Sequence, residues 1–351
     1  MIMIDKDKKN IEYKDISVVV QGAIENSTAL CLESIRKNLP QAVIILSTWE
    51  HSDVDALASL YDKIVFNKDP GTIPHYDDVK DNKSNNLNRQ IVSTINGLKE
   101  AKTPYAIKIR TNFYFENVNF LQYFDKYNAF NENLRKVKKK MLACTIYSRN
   151  PKNKKKPFAM YLSDFFFFGL TEDVYNLFNI PLMTDEEGFY FKENKAKKGR
   201  KSFKDMNKFH PEQYIWLHFL NYKYCENFMD NNDRAIIDTQ ISFANNVVLL
   251  SPQQLGINSL KKRVFIKGHP QSCYSYYDWL CLYYRYCVKT HIPIYIYFLM
   301  FFLFLKKNVW QVLMEYVITC SYQEHKTVIK ILKIPVYHTK YYQWLKKMWK
   351  G

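Results

Sequence analysis

The first third of the chain alternates between short apolar runs and amphipathic segments. Apolar, largely β-branched runs predict four strands, over 16–20, 43–46, 64–66 and 105–110. Between them, apolar residues recur at helical spacing, most clearly at Leu32, Ile35 and Leu39 and again at Leu87, Ile91, Ile95 and Leu98. Strands that have no polar face and are separated by helices indicate a parallel sheet covered on both sides.

Beyond residue 112 the pattern is less regular. It predicts strands over 142–146, 158–169 and 247–250, a helix over 171–178, a charged loop over 185–209 and a helix that begins at Pro211. Acidic residues nearly vanish after about residue 256. We therefore predict an α/β domain over 1–256 and a basic, aromatic-rich, helical C-terminal region over 257–351.

Polar residues follow the predicted strands. Ligands of parallel sheets bind beyond the carboxyl ends of the strands. These ends carry Gln21 and Gly22, then Ser47, Trp49 and Glu50, then Asp69, Pro70 and Gly71, and finally Arg110 and Asn112. The pattern predicts a polar ligand site at this edge of the sheet.

Two cations and an amide share one face of the fourth predicted strand. Lys108, Arg110 and Asn112 alternate with other residues, and a period of two places their side chains on the same side. A lysine inside a parallel sheet is costly unless it is paired, and arginine offers a bidentate fork for phosphate. Two interpretations remain: a cationic site for a diphosphate, or ion pairs with carboxylates at the sheet edge.

Two carboxylates stand where predicted elements begin. Asp164 precedes four consecutive Phe residues, and Glu212 lies in the first turn of the helix that begins at Pro211. Either could be a general base, and Asp164 also suits a metal ligand. The structural alternatives are a local turn hydrogen bond for Asp164 and, for Glu212, a helix-dipole interaction worth ~0.3–1 kcal/mol.

Glycine spacing excludes two nucleotide-binding loops. The chain has 9 Gly, and the closest two, Gly188 and Gly199, are 11 residues apart. Neither a G-x-G-x-x-G dinucleotide loop nor a G-x-x-x-x-G-K phosphate loop can be formed. Any nucleotide must therefore be held in another way.

Positive charge is concentrated in the C-terminal region. Of the net charge of +17, residues 261–351 supply +12, from 15 Lys and Arg against 3 Asp and Glu. Within this region, residues 292–305 form an uncharged, apolar run between Lys289 and Lys306. The run suits either a buried core helix or an interfacial element. Because no recognised nucleic-acid motif is present, we expect an anionic membrane surface as the partner and no nucleic acid.

The N-terminal residues and the cysteines indicate the cellular compartment. The N-terminal residues lack the apolar core of a signal peptide, and the seven Cys are odd in number with no C-x-x-C pair. We expect reduced cysteines in a cytoplasmic protein that is peripheral on the inner face of the cytoplasmic membrane.

Eight short segments, in order, resemble the WavE-type lipopolysaccharide synthesis family. They lie at 18–22, 34–36, 45–49, 69–71, 88–90 with 93–94, 108–111, 163–164 with 169, and 211–214, and together they span about 16–256. Members of this family look like glycosyltransferases of the nucleotide-diphospho-sugar (GT-A) fold. The resemblance implies a mostly parallel sheet flanked by helices, a nucleotide-sugar donor and a lipid-linked glycan acceptor.

The resemblance also implies roles for the polar residues. Gln21, Glu50 and Asp69 would line the nucleoside pocket, together with the strand-end residues beside them. The diphosphate would be held by Arg89, between Asn88 and Gln90, and by Lys108 and Arg110. Asp164 or Glu212 would orient or deprotonate the acceptor hydroxyl.

One position departs from the family pattern. Asn112 stands where the pattern has an aspartate that holds a divalent metal. An amide oxygen binds Mg²⁺ or Mn²⁺ more weakly than a carboxylate does, and without charge. We therefore expect weak or no dependence on either metal.

The sequence thus favours a glycosyltransferase that builds lipopolysaccharide, capsule or another bacterial surface glycan. Two alternatives remain open. One is a transferase that moves a polyol phosphate or sugar phosphate through the same basic site. The other is a non-enzymatic basic protein that binds lipid or nucleic acid through its C-terminal region.

Overall fold

The computed structural model describes residues 11–73, 85–153, 158–193, 207–226, 231–260, 272–312, 318–323, 326–331 and 334–336. The chain divides into two compact units, Met1–Ile292 and Pro293–Gly351.

A seven-stranded sheet forms the centre of the first unit. Its strands are β1 (Ile16–Gln21), β2 (Val43–Trp49), β3 (Lys63–Asn67), β4 (Tyr105–Arg110), β6 (Met141–Cys144), β7 (Phe166–Leu170) and β8 (Val247–Leu250). The order across the sheet is β3-β2-β1-β4-β7-β6-β8, and β7 alone runs antiparallel to its neighbours. This mostly parallel sheet flanked by helices is compatible with a GT-A-like fold and confirms the predicted fold class.

Helices flank the sheet. They are α1 (Thr28–Asn38), α2 (Leu87–Lys99), α3 (Thr171–Phe178), α4 (Asp185–Gly188), α5 (Tyr190–Glu193), α6 (Pro211–Leu220), α7 (Asp233–Asn246), α8 (Pro252–Leu255) and α9 (Tyr276–Tyr283). A π-helical turn, Tyr284–Val288, follows α9.

Helix α2 lies close against β1 and β2 because of Gly97. A Cβ at this position would stand 2.5 Å from Val19 Cγ1 and 3.1 Å from Ser47 Cβ. The absence of a side chain therefore lets the helix backbone approach the sheet closely. This approach also brings the N-terminal turn of α2 to the carboxyl ends of the same strands.

Residues beyond 256 still belong to the first unit. Strand β9 (Ile257–Ser259) pairs with β5 (Phe113–Phe115) in a separate two-stranded sheet. Helix α9 packs on α7, and the buried Trp279 donates from Nε1 to the Phe243 carbonyl at 3.2 Å. The domain boundary predicted at 256 lies before these elements, whereas the compact unit continues to Ile292.

The strand predicted over 158–169 is wrong for its first half. Residues 158–165 form an irregular segment, and β7 begins only at Phe166. The break has a local cause, because Met160 adopts a left-handed backbone with φ of 55°, a conformation incompatible with a strand. The charged segment over 185–209 contains α4 and α5, and its residues 194–206 lie outside the described part of the chain.

The second unit contains α10 (Ile294–Val312) and a three-stranded antiparallel sheet. The strands are β10 (Ile318–Gln323), β11 (Lys326–Ile331) and β12 (Ile334–Val336). The predicted C-terminal helices are present as α9 and α10, but these three strands were not predicted. Within the described residues, no helix combines the length and the apolar character needed to cross a bilayer.

Candidate active site

A cavity of about 430 Å³ opens at the carboxyl ends of β1, β2 and β4. The first turns of α2 and α6 form its other sides, so two helix N-termini face the same space. Its lining residues are Gln21, Gly22, Ala23, Glu25, Trp49, Asn86, Leu87, Arg89, Gln90, Arg110, Thr111, Asn112, Asp164, Pro211 and Glu212. The partial positive charge of helix N-termini makes such a cavity favourable for anions.

A buried hydrogen-bond network connects α2 to the ends of β1 and β2. Ser93 of α2 donates from Oγ to Gln21 Oε1 at 2.8 Å, and Ser47 donates from Oγ to the Ser93 carbonyl at 2.6 Å. Asn67 Nδ2 lies 2.9 Å from Ser47 Oγ and completes the network. The network thus fixes Gln21 at the cavity. Ser47 is part of the network but does not line the cavity.

Gly22 adopts a conformation that favours glycine. Its φ is +125°, and a Cβ there would stand 3.4 Å from Thr111 Oγ1. Any other residue at this turn would be strained. The chain therefore leaves β1 without a side chain that would project into the cavity beside Thr111.

Arg89 is held at the cavity by a carboxylate behind it. Its guanidinium donates from Nε to Asp69 Oδ1 at 2.8 Å and from Nη2 to Asp69 Oδ2, and its Nη1 donates to Asn86 Oδ1 at 3.0 Å. These hydrogen bonds lower the pKa of the Asp69 carboxyl below its ordinary value. The Gly71 amide also donates to Asp69 Oδ1, at 2.9 Å. Asp69 therefore orients Arg89 and does not itself line the cavity.

Arg110 and Lys108 both bind Asp164. Arg110 donates from Nη2 to the Asp164 carboxylate and, at 3.4 Å, to Gln90 Oε1. Lys108 is completely buried, and its ammonium donates to the main-chain carbonyl of Asp164. The two cations on this face of β4 thus hold one residue from two sides.

Burial and charge act in opposite directions on these groups. Burial lowers the pKa of the Lys108 ammonium to about 7. Burial alone would raise the pKa of the Asp164 carboxyl, but the Arg110 and Lys108 cations outweigh burial and keep this pKa below its ordinary value. Asp164 is therefore ionised at neutral pH.

Glu212 faces the same cavity from the start of α6. Burial, followed by the negative charge of Asp164, raises the pKa of the Glu212 carboxyl to about 7. The nearby Tyr161 side chain opposes the rise in this pKa. The cavity thus contains two carboxyl groups whose environments shift their pKa values in opposite directions, which is the arrangement expected of an acid–base site.

A hydrogen bond and aromatic contacts connect the segment before β7 to the first turn of α6. Gln213, which is completely buried, donates from Nε2 to the Ala159 carbonyl at 2.6 Å. The His210 ring packs against Phe158 and Tyr161, with centroid distances of 5.1 and 5.4 Å. These contacts fix the position of Glu212 relative to Asp164.

The structure gathers nine of the residues predicted from the sequence around the cavity: Gln21, Gly22, Trp49, Arg89, Gln90, Arg110, Asn112, Asp164 and Glu212. The others stand outside its lining. They are Ser47, Glu50, Asp69, Pro70, Gly71, Asn88 and Lys108. Of these, Asn88 pairs its amide with the Met183 backbone at 2.8 and 2.9 Å.

Several site residues were not predicted from the sequence. Gln213 binds the Ala159 carbonyl and Tyr161 affects the pKa of Glu212, while Glu25, Asn86 and Thr111 line the cavity. Gln213 lies within the segment 211–214 that carried the family resemblance, so its position was a usable signal. Tyr161 had none, because the apolar run around it predicted a strand.

The donor set of the described residues does not fit a divalent metal. Asn112 Oδ1 is buried without a hydrogen-bond partner and offers one neutral oxygen. The nearby Asp164 carboxylate is bound through Oδ2 to the Arg110 cation, and its Oδ1 is buried without a hydrogen-bond partner. Over the described ranges, no group of three or more His, Cys, Asp and Glu is placed to hold a metal ion.

Comparison with protein families identifies one match. A family model described as WavE lipopolysaccharide synthesis matches residues 16–316, which run from β1 into the second unit and cover most of the chain. The match extends beyond the segments 16–256 that carried the resemblance. A comparison with curated proteins gives no match. The extent of the family match shows that this chain belongs to the WavE lipopolysaccharide synthesis family.

Proposed function

We propose that this protein is a glycosyltransferase that moves a sugar from a nucleotide-activated donor to a hydroxyl of a lipid-linked glycan in lipopolysaccharide or capsule synthesis. The observation that carries the proposal is the pairing of Glu212 and Asp164 in one cavity, with opposite pKa shifts, beside Arg110 and Arg89. The family's role in lipopolysaccharide synthesis supports the same conclusion.

The cationic side of the cavity suits the donor diphosphate. Arg110 and Arg89 both line it, and Arg89 belongs to the first turn of α2. Arginine binds phosphate oxygens through paired hydrogen bonds. As the bond between the sugar and the diphosphate breaks, negative charge develops on the leaving diphosphate, and these groups stabilise it. Trp49, at the end of β2, offers a ring against which a nucleobase can stack.

Glu212 is the proposed general base. Its carboxylate takes the proton of the acceptor hydroxyl as the acceptor oxygen forms a bond to the anomeric carbon of the donor. The bond from that carbon to the diphosphate oxygen breaks, and the nucleoside diphosphate leaves with the electron pair. A base whose pKa lies near the working pH is efficient because it is ionised and still basic.

Asp164 has a different proposed role. Its carboxylate is bound to Arg110 and is 3% exposed, so it is poorly placed to accept a proton from the acceptor. Instead it orients Arg110 toward the diphosphate. Its negative charge also raises the pKa of Glu212.

Transfer of labelled sugar tests the proposal. Full-length protein is incubated with a panel of radiolabelled sugar nucleotides and a lipid extract that contains glycan acceptors. We expect label in the lipid fraction with the wild type and a fall of roughly 10²–10⁴-fold in Glu212→Gln, because the base is removed. Glu172→Gln, an exposed carboxylate of α3 paired with Lys138, is the matched control.

Two outcomes would contradict the proposal. Glu212→Gln with a near wild-type rate would remove Glu212 as the base. Phosphate retained in the new linkage would instead indicate transfer of a sugar phosphate or polyol phosphate.

We further propose that α10 binds the anionic inner face of the cytoplasmic membrane, where a lipid-linked acceptor lies. Its side chains Ile294, Tyr295, Tyr297, Phe298, Phe301, Phe302 and Leu305 are exposed, and Lys289, Lys306 and Lys307 flank the run. Exposed apolar surface combined with basic residues is typical of interfacial helices.

Vesicle sedimentation tests the membrane proposal. We expect full-length protein to pellet with anionic vesicles, and high salt to release only part of it, because apolar contacts are insensitive to salt. Phe301→Ser combined with Phe302→Ser should weaken sedimentation and leave nucleotide binding unchanged. Wild-type protein that stays in the supernatant with anionic vesicles at low salt would contradict the proposal.

A further inference from the structure

The strand β6 ends at the same edge of the sheet as the strands that border the cavity. It runs parallel to β4, because each of the two pairs antiparallel with β7, which lies between them. The carboxyl end of β6, at Cys144, is therefore on the edge that carries Arg110 and the cavity. It lies on the far side of β4 from β1 and β2, whose ends border the proposed nucleotide side. Residues that follow β6 are thus placed to meet a second ligand at this edge.

Tyr147 occupies a strained position in the turn that follows β6. The turn runs from Thr145 to Ser148 and is closed by the Ser148 amide, which donates to the Thr145 carbonyl at 3.0 Å. Tyr147 is its third residue and has a φ of 69°, which glycine adopts readily and larger residues adopt at a cost. Tyr147 is also partly exposed, whereas Ile146 and Ser148 beside it are buried. Such strain persists only where the surrounding structure enforces it, and it is concentrated at functional sites.

Hydrogen bonds to three other parts of the first unit hold this turn in place. Ser148 donates from Oγ to the Cys144 carbonyl at 2.6 Å, and its own carbonyl accepts from the Tyr274 amide at 2.9 Å. The Arg149 amide donates to the Tyr161 carbonyl at 2.8 Å. The turn is thus bound to β6, to the segment before α9 and to the segment before β7. Its third residue is therefore kept in one position.

The Tyr147 ring connects the turn to the cavity. Its centroid lies 5.2 Å from that of Phe165, edge to face, and the Arg110 guanidinium lies 5.1 Å from the Phe165 centroid. The Arg149 guanidinium, 5.2 Å from the Tyr147 centroid, holds the ring from a second direction. Arg110 lines the cavity, whereas Tyr147 stands just outside the lining. After burial, the negative charge of Glu212 is the next cause that raises the pKa of the Tyr147 hydroxyl, which agrees with a position near the base.

We infer that Tyr147 binds the acceptor, in contact with the sugar ring that carries the accepting hydroxyl. This inference rests on the proposed function, in which Glu212 is the base. A pyranose ring has C–H groups on its faces and hydroxyls around its edge. Tyrosine offers an apolar ring and a hydroxyl in one rigid side chain, so it can contact both. The donor would occupy the side of the cavity bordered by β1, β2 and α2, and the acceptor would approach Glu212 from the end of β6.

Tyr147→Gly tests the inference, because glycine relieves the backbone strain and removes the whole side chain. We expect the apparent KM for the lipid-linked acceptor to rise at least about tenfold, through loss of the aromatic contact and the hydroxyl. The KM for the donor and the Kd of a nucleoside diphosphate should change less than about twofold, which also shows that the variant is folded. Tyr147→Phe keeps the ring, and should raise the acceptor KM about threefold through loss of one hydrogen bond.

His51→Gly is the matched control. His51 is exposed and has a φ of 66°. It is also the third residue of a turn, which the Ser52 amide closes by donating to the Trp49 carbonyl at 3.1 Å. The change to glycine therefore relieves the same kind of strain at the end of another strand, and it should leave the acceptor KM unchanged.

A binding measurement separates this inference from the proposed function. The probe is core oligosaccharide released from lipopolysaccharide by mild acid, titrated in saturation-transfer NMR in the presence of a nucleoside diphosphate. We expect it to bind the wild type and to bind Tyr147→Gly about tenfold more weakly, whether or not sugar transfer is detected.

The outcomes are distinct. Binding that depends on Tyr147, without transfer by the wild type, would overturn the proposed function alone. Transfer with the same acceptor KM and the same oligosaccharide binding in the wild type and Tyr147→Gly would overturn the role of Tyr147 alone. Neither binding nor transfer by the wild type would overturn both.

Discussion

Two arginine–aspartate pairs stand at one cavity and differ in burial. Arg89 and Asp69 are 33% and 41% exposed, whereas Arg110 and Asp164 are 32% and 3% exposed. The two arginines are equally accessible to a ligand. The difference lies in the aspartates, one in solvent behind its arginine and the other inside the protein.

This difference in burial changes how much each ion pair contributes to stability. An exposed pair contributes ~0.2–1 kcal/mol and is screened by salt. A buried carboxylate that loses its partner keeps its cost of desolvation, which makes the loss much larger. Asp69 therefore only orients Arg89, whereas Asp164 binds Arg110 and also raises the pKa values of Lys108 and Glu212 through its negative charge.

The largest effect is expected from removing the buried aspartate. Asp164→Ala leaves Arg110 without its partner and Lys108 without a nearby anion. We expect an activity loss of at least about 100-fold and a decrease in unfolding free energy of ~2–3 kcal/mol, below the usual value for a fully buried pair because Arg110 is partly exposed. A sugar-transfer assay measures the activity, and urea denaturation measures the free energy of unfolding. A variant with wild-type activity would remove Asp164 from the site.

The pH dependence of activity should distinguish the two pairs next. Because burial and Asp164 raise the pKa of Glu212 to about 7, the base is ionised only above that pH, and activity should rise as pH increases through about 7. At pH 6 we expect a rate roughly tenfold below the plateau. Asp69→Asn should leave this limb of the pH–rate profile in place. A flat profile from pH 5.5 to 8 would contradict the assignment of Glu212.

A smaller effect is expected from removing the exposed aspartate. Asp69→Ala frees Arg89 without creating a buried unpaired charge, so we expect the Kd of a nucleoside diphosphate to rise at most about fivefold, the equivalent of ~1 kcal/mol. The change should diminish at high salt. Isothermal titration at two salt concentrations measures it. A loss as large as that of Asp164→Ala would show that the two pairs are equivalent.

The smallest effect is expected from metal removal. The wild-type rate should change less than about twofold when a chelator is added, because Asn112 contributes a neutral oxygen to any metal. Asn112→Asp supplies the missing charge and should bind Mn²⁺ more tightly than the wild type, as measured by calorimetry. Complete inactivation of the wild type by the chelator, with rescue by Mn²⁺, would contradict this account.

The sequence was most informative where a side chain's role depends on its own strand. The strands β1, β2, β3 and β4 and the polar residues at their ends follow from local pattern, and so does the shared face of Lys108 and Arg110. What Lys108 binds was not predictable, because its partner is the main-chain carbonyl of Asp164, 56 residues away. Sequence reasoning placed Lys108 at the diphosphate, whereas the structure places it beneath the cavity.

Tertiary contacts explain the remaining differences. The segment before β7 is irregular because Met160 leaves the extended conformation, whereas the apolar sequence around it favours a strand. The continuation of the first unit to Ile292 depends on β9 pairing with β5 and on Trp279 reaching Phe243. Neither contact has a signature in the local sequence.

Binding of nucleoside diphosphates to the wild type and to Arg110→Ala is the most direct test of the cavity as the donor site. Isothermal titration would use UDP, GDP, CDP, TDP and ADP at pH 7.5. At least one should bind the wild type, and Arg110→Ala should weaken that binding by about 100-fold, because the phosphate loses its cation and meets an unpaired Asp164 carboxylate. Equal affinity of the two proteins for the bound nucleotide would contradict the account.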